Sequence, residues 1–174
     1  MKGALLAKGE EYYTFLRKIF TGMENFQKNY NWLISDCEAY PKKPGHNVRI
    51  HQSGEYAWIS GEELTNIIRK DDFQWIWAVL SGFEKHITLE EVKKYAVPYA
   101  DGYRGFWEEN ISIQHPLATV EVVAWDSGCT LFISKDDMLV DKFRSAFPLS
   151  VDLEMHNKGV LDDSEAYEKY LLSI

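Results

Sequence analysis

The chain has 174 residues, 27 acidic and 19 basic, for a formal charge of −8. Hydrophobic residues make up 45% and charged residues 26%, which excludes a disordered chain. No uncharged apolar run approaches the roughly 18 residues of a membrane span, and the acidic balance argues against a surface built to neutralise nucleic-acid phosphates.

The opening Met-Lys-Gly-Ala-Leu-Leu-Ala-Lys-Gly-Glu has too short an apolar stretch for a signal peptide. Cys37 and Cys129 form no C-x-x-C pair and read as two buried, reduced thiols. A bacterial-type cytoplasmic protein is the expectation. Aromatic content is 14%, with six Trp and ten Tyr. That exceeds what a core of this size needs, so part of it is expected at a recognition surface.

No repeat, low-complexity segment or Gly/Ser linker divides the chain, which reads as one domain over residues 1–174. Tyr12, Phe15, Leu16, Ile19 and Phe20 fall on one helical face and predict a helix over residues 10–21. Alternation predicts a strand over 30–36. Residues 40–47, with Pro41, Pro44 and Gly45, read as a turn-forming basic loop. A short strand over 55–59 leads to Ser60 and Glu63, spaced as a capping box ahead of Leu64, Ile67 and Ile68.

Residues 73–80 read as a central strand, with Phe73, Trp75, Trp77 and Val79 on one face. Thr88 and Glu91 repeat the capping-box spacing. An irregular stretch over about 97–117 follows. Segments 119–125 and 129–134 form a hairpin, with Gly128 as the residue its turn requires. Ser134 is the expected cap of a helix over 135–146, closed by Pro148. Residues 150–156 read as a helical turn, and Asp163 or Ser164 caps a last helix. This order is not a βαβ alternation, and the hairpin implies antiparallel pairing. The fold class is α+β: a mostly antiparallel sheet packed by helices.

Seven acidic doublets punctuate the chain. Five lie at or near predicted helix N-termini, where the macrodipole favours negative charge. Asp71-Asp72 and Glu108-Glu109 lie elsewhere and read as solvated charge. Five histidines show neither H-E-x-x-H nor zinc spacing and read as surface residues. A Cys129–His115 pair is sterically conceivable, but the apolar company of Cys129 reads as a core thiol. G-x-S-x-G and phosphate-loop patterns are absent. The basic stretch around Lys42, Lys43, His46 and Arg49 reads as a mobile solvated loop. No metal or cofactor is expected, and neither nucleic acid nor membrane as a partner.

The richest feature is the loop over residues 95–116. Its first sixteen residues hold five aromatics, one Arg and three acids. Long irregular loops in compact domains are often functional, and Tyr, Trp and Arg anchor binding surfaces. Tyr99, Asp101, Tyr103, Arg104, Trp107, Glu108 and Glu109 are the candidate binding residues. Phe106 and Trp107 are equally suited to tucking down as a lid.

The Tyr-Asn-Trp-Leu-Ile of 30–34, the Glu-Leu-x-x-Ile-Ile of 63–68, the aromatic strand at 73–80 and the Val-Val/Asp-Ser hairpin leading to Lys-Asp within 122–137 resemble a family of small uncharacterised proteins from Gram-positive bacteria. The aromatic loop and the last helix lie outside that pattern. The resemblance implies no catalytic residues. At class level the chain is also similar to bacterial immunity proteins, which are small, acidic and α+β and cover a toxin's basic active site. The functional expectation is a non-enzymatic module that binds a basic protein. The alternatives are a hydrolase-like enzyme, which needs a concave pocket lined by Asp101, Glu108 or His115, and a structural domain whose loop only packs.

Overall fold

The computed structural model describes residues 1–51 and 54–159. Its elements are β1 (Lys2–Leu6), α1 (Leu16–Gly22), β2 (Tyr30–Ala39), α2 (Pro44–Ile50), β3 (Tyr56–Ser60), α3 (Gly61–Lys70), β4 (Trp75–Glu84), α4 (Leu89–Val92), β5 (Val120–Trp125), β6 (Cys129–Ser134), α5 (Asp137–Ala146), β7 (Val151–Asp152) and α6 (Leu153–Asn157). The strands form one sheet in the order β3-β2-β4-β5-β6-β1-β7, and every pairing is antiparallel. The fold is therefore α+β. The predicted last helix lies outside the described residues.

Alternation sends side chains to two faces, and both are buried. Trp32, Ile34, Ala78, Leu80, Val122 and Phe132 point to one face, where α1, α3 and α5 pack with Leu16, Phe20, Leu64, Ile67, Val140 and Phe143. Leu33, Val79, Phe83, Val123, Leu131 and Ile133 point to the other. There the cover is mostly the irregular chain between α4 and β5, with Phe106, Ile111, Ile113 and Leu153 of α6.

Several local expectations are corrected. The first helix begins at Leu16 rather than residue 10, because the preceding residues run beside β4: Phe15 bridges Gln74, and the Thr14 carbonyl accepts from the Trp75 N–H at 3.2 Å. Glu10 therefore sits at no helix start and pairs with Lys18 instead. The basic loop contains α2, with Pro44 at its first turn, where a missing N–H costs nothing. It is anchored: Arg49 Nη2 donates to Glu63 Oε2 and to the Trp58 carbonyl, each at 2.9 Å. Glu63 is thereby drawn out of its capping box, and only the Ser60 half of that box forms, accepting from the Glu63 N–H at 3.2 Å. The Thr88–Glu91 box closes in both directions.

Trp75 and Trp77 lie on opposite faces, not one. Opposite them the register shifts between Glu38 and Ala39, and next to this β2 carries a bulge between Ser35 and Glu38, in which Asp36 has φ +46°. In the β5–β6 turn, Asp126 and Ser127 take positive φ rather than Gly128; Asp is among the residues that tolerate the left-handed region. Asp136, not Ser134, caps α5 by accepting from the Met138 N–H at 2.9 Å; Ser134 instead donates to the Thr119 carbonyl. Residues 150–156 hold β7 as well as the helical turn. Neither β1 nor β7 was expected, since Leu5 and Leu6 fit either period.

Gly61 shows how closely the helical layer sits on the chain. A Cβ there would lie 1.9 Å from the Gln27 carbonyl oxygen, which also accepts from Trp32 Nε1 at 2.9 Å. Alanine normally favours a helix over glycine. Here the clash is with backbone, and Gly61→Ala is expected to destabilise the protein by about 1–3 kcal/mol, read as a lower midpoint in urea.

Candidate functional site

The 95–116 loop is built as a lid, held by side chains of β2, of α6 and of the loop itself. Asp36, at the β2 bulge, accepts from two successive lid N–H groups: Asp36 Oδ2 lies 2.7 Å from the Ala100 nitrogen and 2.7 Å from the Asp101 nitrogen. The Gln114 side chain clasps Tyr99, accepting from its N–H at 3.2 Å and donating to its carbonyl at 2.7 Å. Asn157 Nδ2 of α6 donates to the Phe106 and Glu108 carbonyls at 2.9 and 2.8 Å. These bonds supply partners to backbone that no ladder satisfies.

The candidate residues separate into two groups. Phe106 is fully buried, and Tyr103 and Trp107 are half-buried. Tyr103 packs edge-on to Phe106 at 4.8 Å, and Trp107 on Trp125 at 5.1 Å, which in turn meets Trp77 at 5.0 Å. Tyr103 and Trp107 are thus largely spent on the lid's underside, contrary to their role as free contact residues. Tyr99 remains 49% exposed, and Tyr95 45%. Asp101, Arg104, Glu108 and Glu109 are exposed. Tyr99 stands edge-on to Tyr103 at 5.3 Å, so its outward ring is braced from below.

Beneath the lid lies a polar cluster that sequence reading missed. Glu121 of β5 is fully buried and accepts from Ser81 Oγ at 3.0 Å and from the Gln114 and His115 N–H groups at 3.0 and 3.3 Å. Burial pushes its carboxyl up to about 7 despite those donors. The signal was present: Glu121 is the one charged residue in Val-Glu-Val-Val-Ala-Trp. His115 is only 1% exposed, so it is not the surface histidine expected. Its Nδ1 accepts from the Leu117 N–H at 3.2 Å, which assigns the proton to Nε2, donating to the Val92 carbonyl at 3.1 Å. Burial holds its pKa below the ordinary value.

Serine, histidine and glutamate here form no nucleophilic set. Both imidazole nitrogens are engaged by backbone, so His115 is not a base for Ser81, whose hydroxyl donates to Glu121 instead. The Cys129–His115 pairing also fails. Cys129 sits at the Trp125 end of β5, whereas His115 is held at the Glu121 end, about 13 Å away along the strand. Burial pushes the Cys129 and Cys37 thiols up to about 12, which makes both poor nucleophiles. A cavity of about 270 Å³ opens beside His115, lined also by Leu33, Glu55, Tyr56, Val92, Lys93 and Tyr95. Neither Asp101 nor Glu108 lines it.

Asp71, expected to be solvated, is buried at the end of α3, where it accepts from the Lys43 N–H at 2.9 Å and lies 3.3 Å from His46 Nδ1. Among the described residues no helix is long and apolar enough to cross a membrane.

A sheet covered by helices on one face and by a latched aromatic loop on the other defines an α+β protein whose outward lid surface is its most distinctive feature. By sequence the chain belongs to the family described as protein of unknown function DUF2691, whose model matches residues 1–97, more than half of its length. No curated protein and no solved structure matches it. The matched part runs from β1 through α4; most of the lid lies beyond it.

Two predictions follow from the polar groups under the lid. The folded protein keeps the Glu121 proton up to about pH 7, whereas the unfolded chain releases it near 4.5. Stability from this group is therefore lost as pH rises through that interval, on the order of 3 kcal/mol in all. His115 has the opposite sign: its folded form resists protonation, so acid below its ordinary value destabilises. Urea titrations from pH 5 to 8 should show Glu121→Gln abolishing the alkaline loss and leaving the acid one. Separately, Asp36→Gly removes the latch while suiting the positive φ. Hydrogen exchange at Ala100 and Asp101 should then accelerate at least tenfold, with the β4 and β5 amides unchanged.

Proposed function

We propose that the protein is a non-enzymatic binding module whose lid presents Tyr95, Tyr99, Asp101, Arg104, Glu108 and Glu109 to a basic protein partner. The observation carrying this reading is the latch: a long irregular loop is held by Asp36, Gln114 and Asn157 with two tyrosines still facing water. Rings already fixed in place lose little freedom on binding. The acids beside them and the net charge of −8 favour a cationic surface and speed encounter with it. An inhibitor of immunity type, covering a basic active surface, is the form of this function that such a loop suits best.

The hydrolase-like alternative draws on the cavity beside His115. Its weakness is that the histidine's nitrogens are occupied and the lid acids stand outside. Tyr103 and Trp107 support the binding surface from below.

The test is capture of basic proteins on the immobilised chain, compared with Tyr95→Ala/Tyr99→Ala and with Glu108→Gln/Glu109→Gln. The tyrosine pair should lose capture with an unchanged melting temperature. The glutamine pair should weaken it at low salt and matter little at high salt. Equal capture by all three proteins would show that the lid is not the interface.

A further inference from the structure

The helical layer holds a second depression, on the side of the sheet opposite the lid and independent of the reading above. Arg17 and Thr21 of α1, Asn25 just after it, and Thr65, Ile68 and Arg69 of α3 line a hollow of about 190 Å³. No carboxylate lines it, in a chain of net charge −8. Among the described residues no carboxylate hydrogen-bonds to either guanidinium; Arg69 Nη2 meets only Asn66 Oδ1, at 3.4 Å.

The neutral groups are oriented from below. Buried Gln27 donates from Nε2 to Asn25 Oδ1 at 3.3 Å and to Thr65 Oγ1 at 2.8 Å, and the Thr65 hydroxyl donates to the Gly61 carbonyl. With its oxygen taken, the Asn25 amide has its N–H donors left to offer. Glu24 and Asn25 both hold positive φ, +54° and +58°, an unfavourable pair for non-glycine residues, and this corner is what brings Asn25 to the hollow. Arg17 and Thr21 also line an adjoining hollow of about 430 Å³, formed with Lys18, Gly22, Asp72, Ala146 and Phe147. The groove thus has one end of two arginines and hydrogen-bond donors with no carboxylate, and another where Arg17 and Lys18 share the wall with Asp72, Ala146 and Phe147.

We propose that this groove binds a phosphomonoester, with the phosphate between Arg17 and Arg69 and the organic body along Ala146 and Phe147. Guanidinium forks match phosphate oxygens two at a time, and two from different helices enclose a dianion better than a monoanion. Asp72 lines the larger hollow together with Arg17 and lies near enough to feel its charge, so it disfavours a second anionic group there and suits a hydroxyl or amine. All six residues of the smaller hollow lie within residues 1–97, the part matched by the family model.

The test is titration calorimetry of the full chain with inorganic phosphate and with phenyl phosphate. Both should bind saturably, phenyl phosphate at least fivefold tighter. Arg17→Gln/Arg69→Gln should weaken each at least tenfold, and Arg144→Gln, an exposed arginine of α5 outside the groove, should change neither. The phosphate could also belong to a lipid. Vesicles of phosphatidylcholine with phosphatidic acid distinguish the sources: cosedimentation displaced by phenyl phosphate assigns a lipid headgroup, and its absence beside calorimetric binding assigns a soluble ester. No saturable binding of either phosphate, or equal binding by the double variant, overturns the proposal. Because the lid is untouched by these substitutions, partner capture by the same variants separates this outcome from failure of the lid reading.

Discussion

A sheet that is apolar on both faces has to be covered twice, and that constraint organises the molecule. β2, β4, β5 and β6 alternate as strands do, yet neither set of side chains is fit for water. Fully burying a Leu, Val or Phe side chain is worth about 1.5–3 kcal/mol. Helices α1, α3 and α5 cover one face by the ordinary amphipathic route. The other face receives a loop, and the loop's aromatic richness is first of all the apolar material that such a cover needs. Phe106 reaches the sheet itself, while Trp107 and Trp125 close one end.

Irregular backbone over an apolar sheet leaves N–H and C=O groups without partners, and an unpaired buried polar group is costly. Side chains of the sheet, of the lid itself and of α6 answer. Asp36 and Glu121 each accept from two neighbouring lid N–H groups, and Gln114 and Asn157 meet lid carbonyls. Asp36 lies in the β2 bulge, and a second register shift, between Glu38 and Ala39, falls opposite Trp75 and Trp77, which face opposite sides of the sheet. These two adjacent irregularities supply the latch and the ring to which the Trp125–Trp107 pair is joined. The buried Glu121 is a cost accepted for fixing the lid.

The topology also ties the family-matched part to the rest. β1 pairs only with β6 and β7, so its place in the sheet depends on strands after residue 97. β5 and β6 sit between the β3-β2-β4 block and β1. The lid, held by β2 and β5, and the hollow between α1 and α3 on the opposite layer therefore rest on the same sheet.

What could be read in the chain by itself was local. Ser60, Thr88 and the apolar spacing of α3 and α5 act within a few residues, and so did the hairpin and the antiparallel sheet it implied. The aromatic loop stands out by composition alone. Missing were β1, a short apolar run that becomes a strand because β6 offers it an edge, and β7, which pairs with β1 in turn. The start of α1 was displaced because Thr14 and Phe15 are bound to β4, a partner some sixty residues away. Which lid rings face water, why Asp36 takes a left-handed bulge and why Glu121 and His115 are dry were decided by tertiary packing. Periodicity reports a residue's immediate neighbours along the chain, and burial is set by whatever else the fold brings against it.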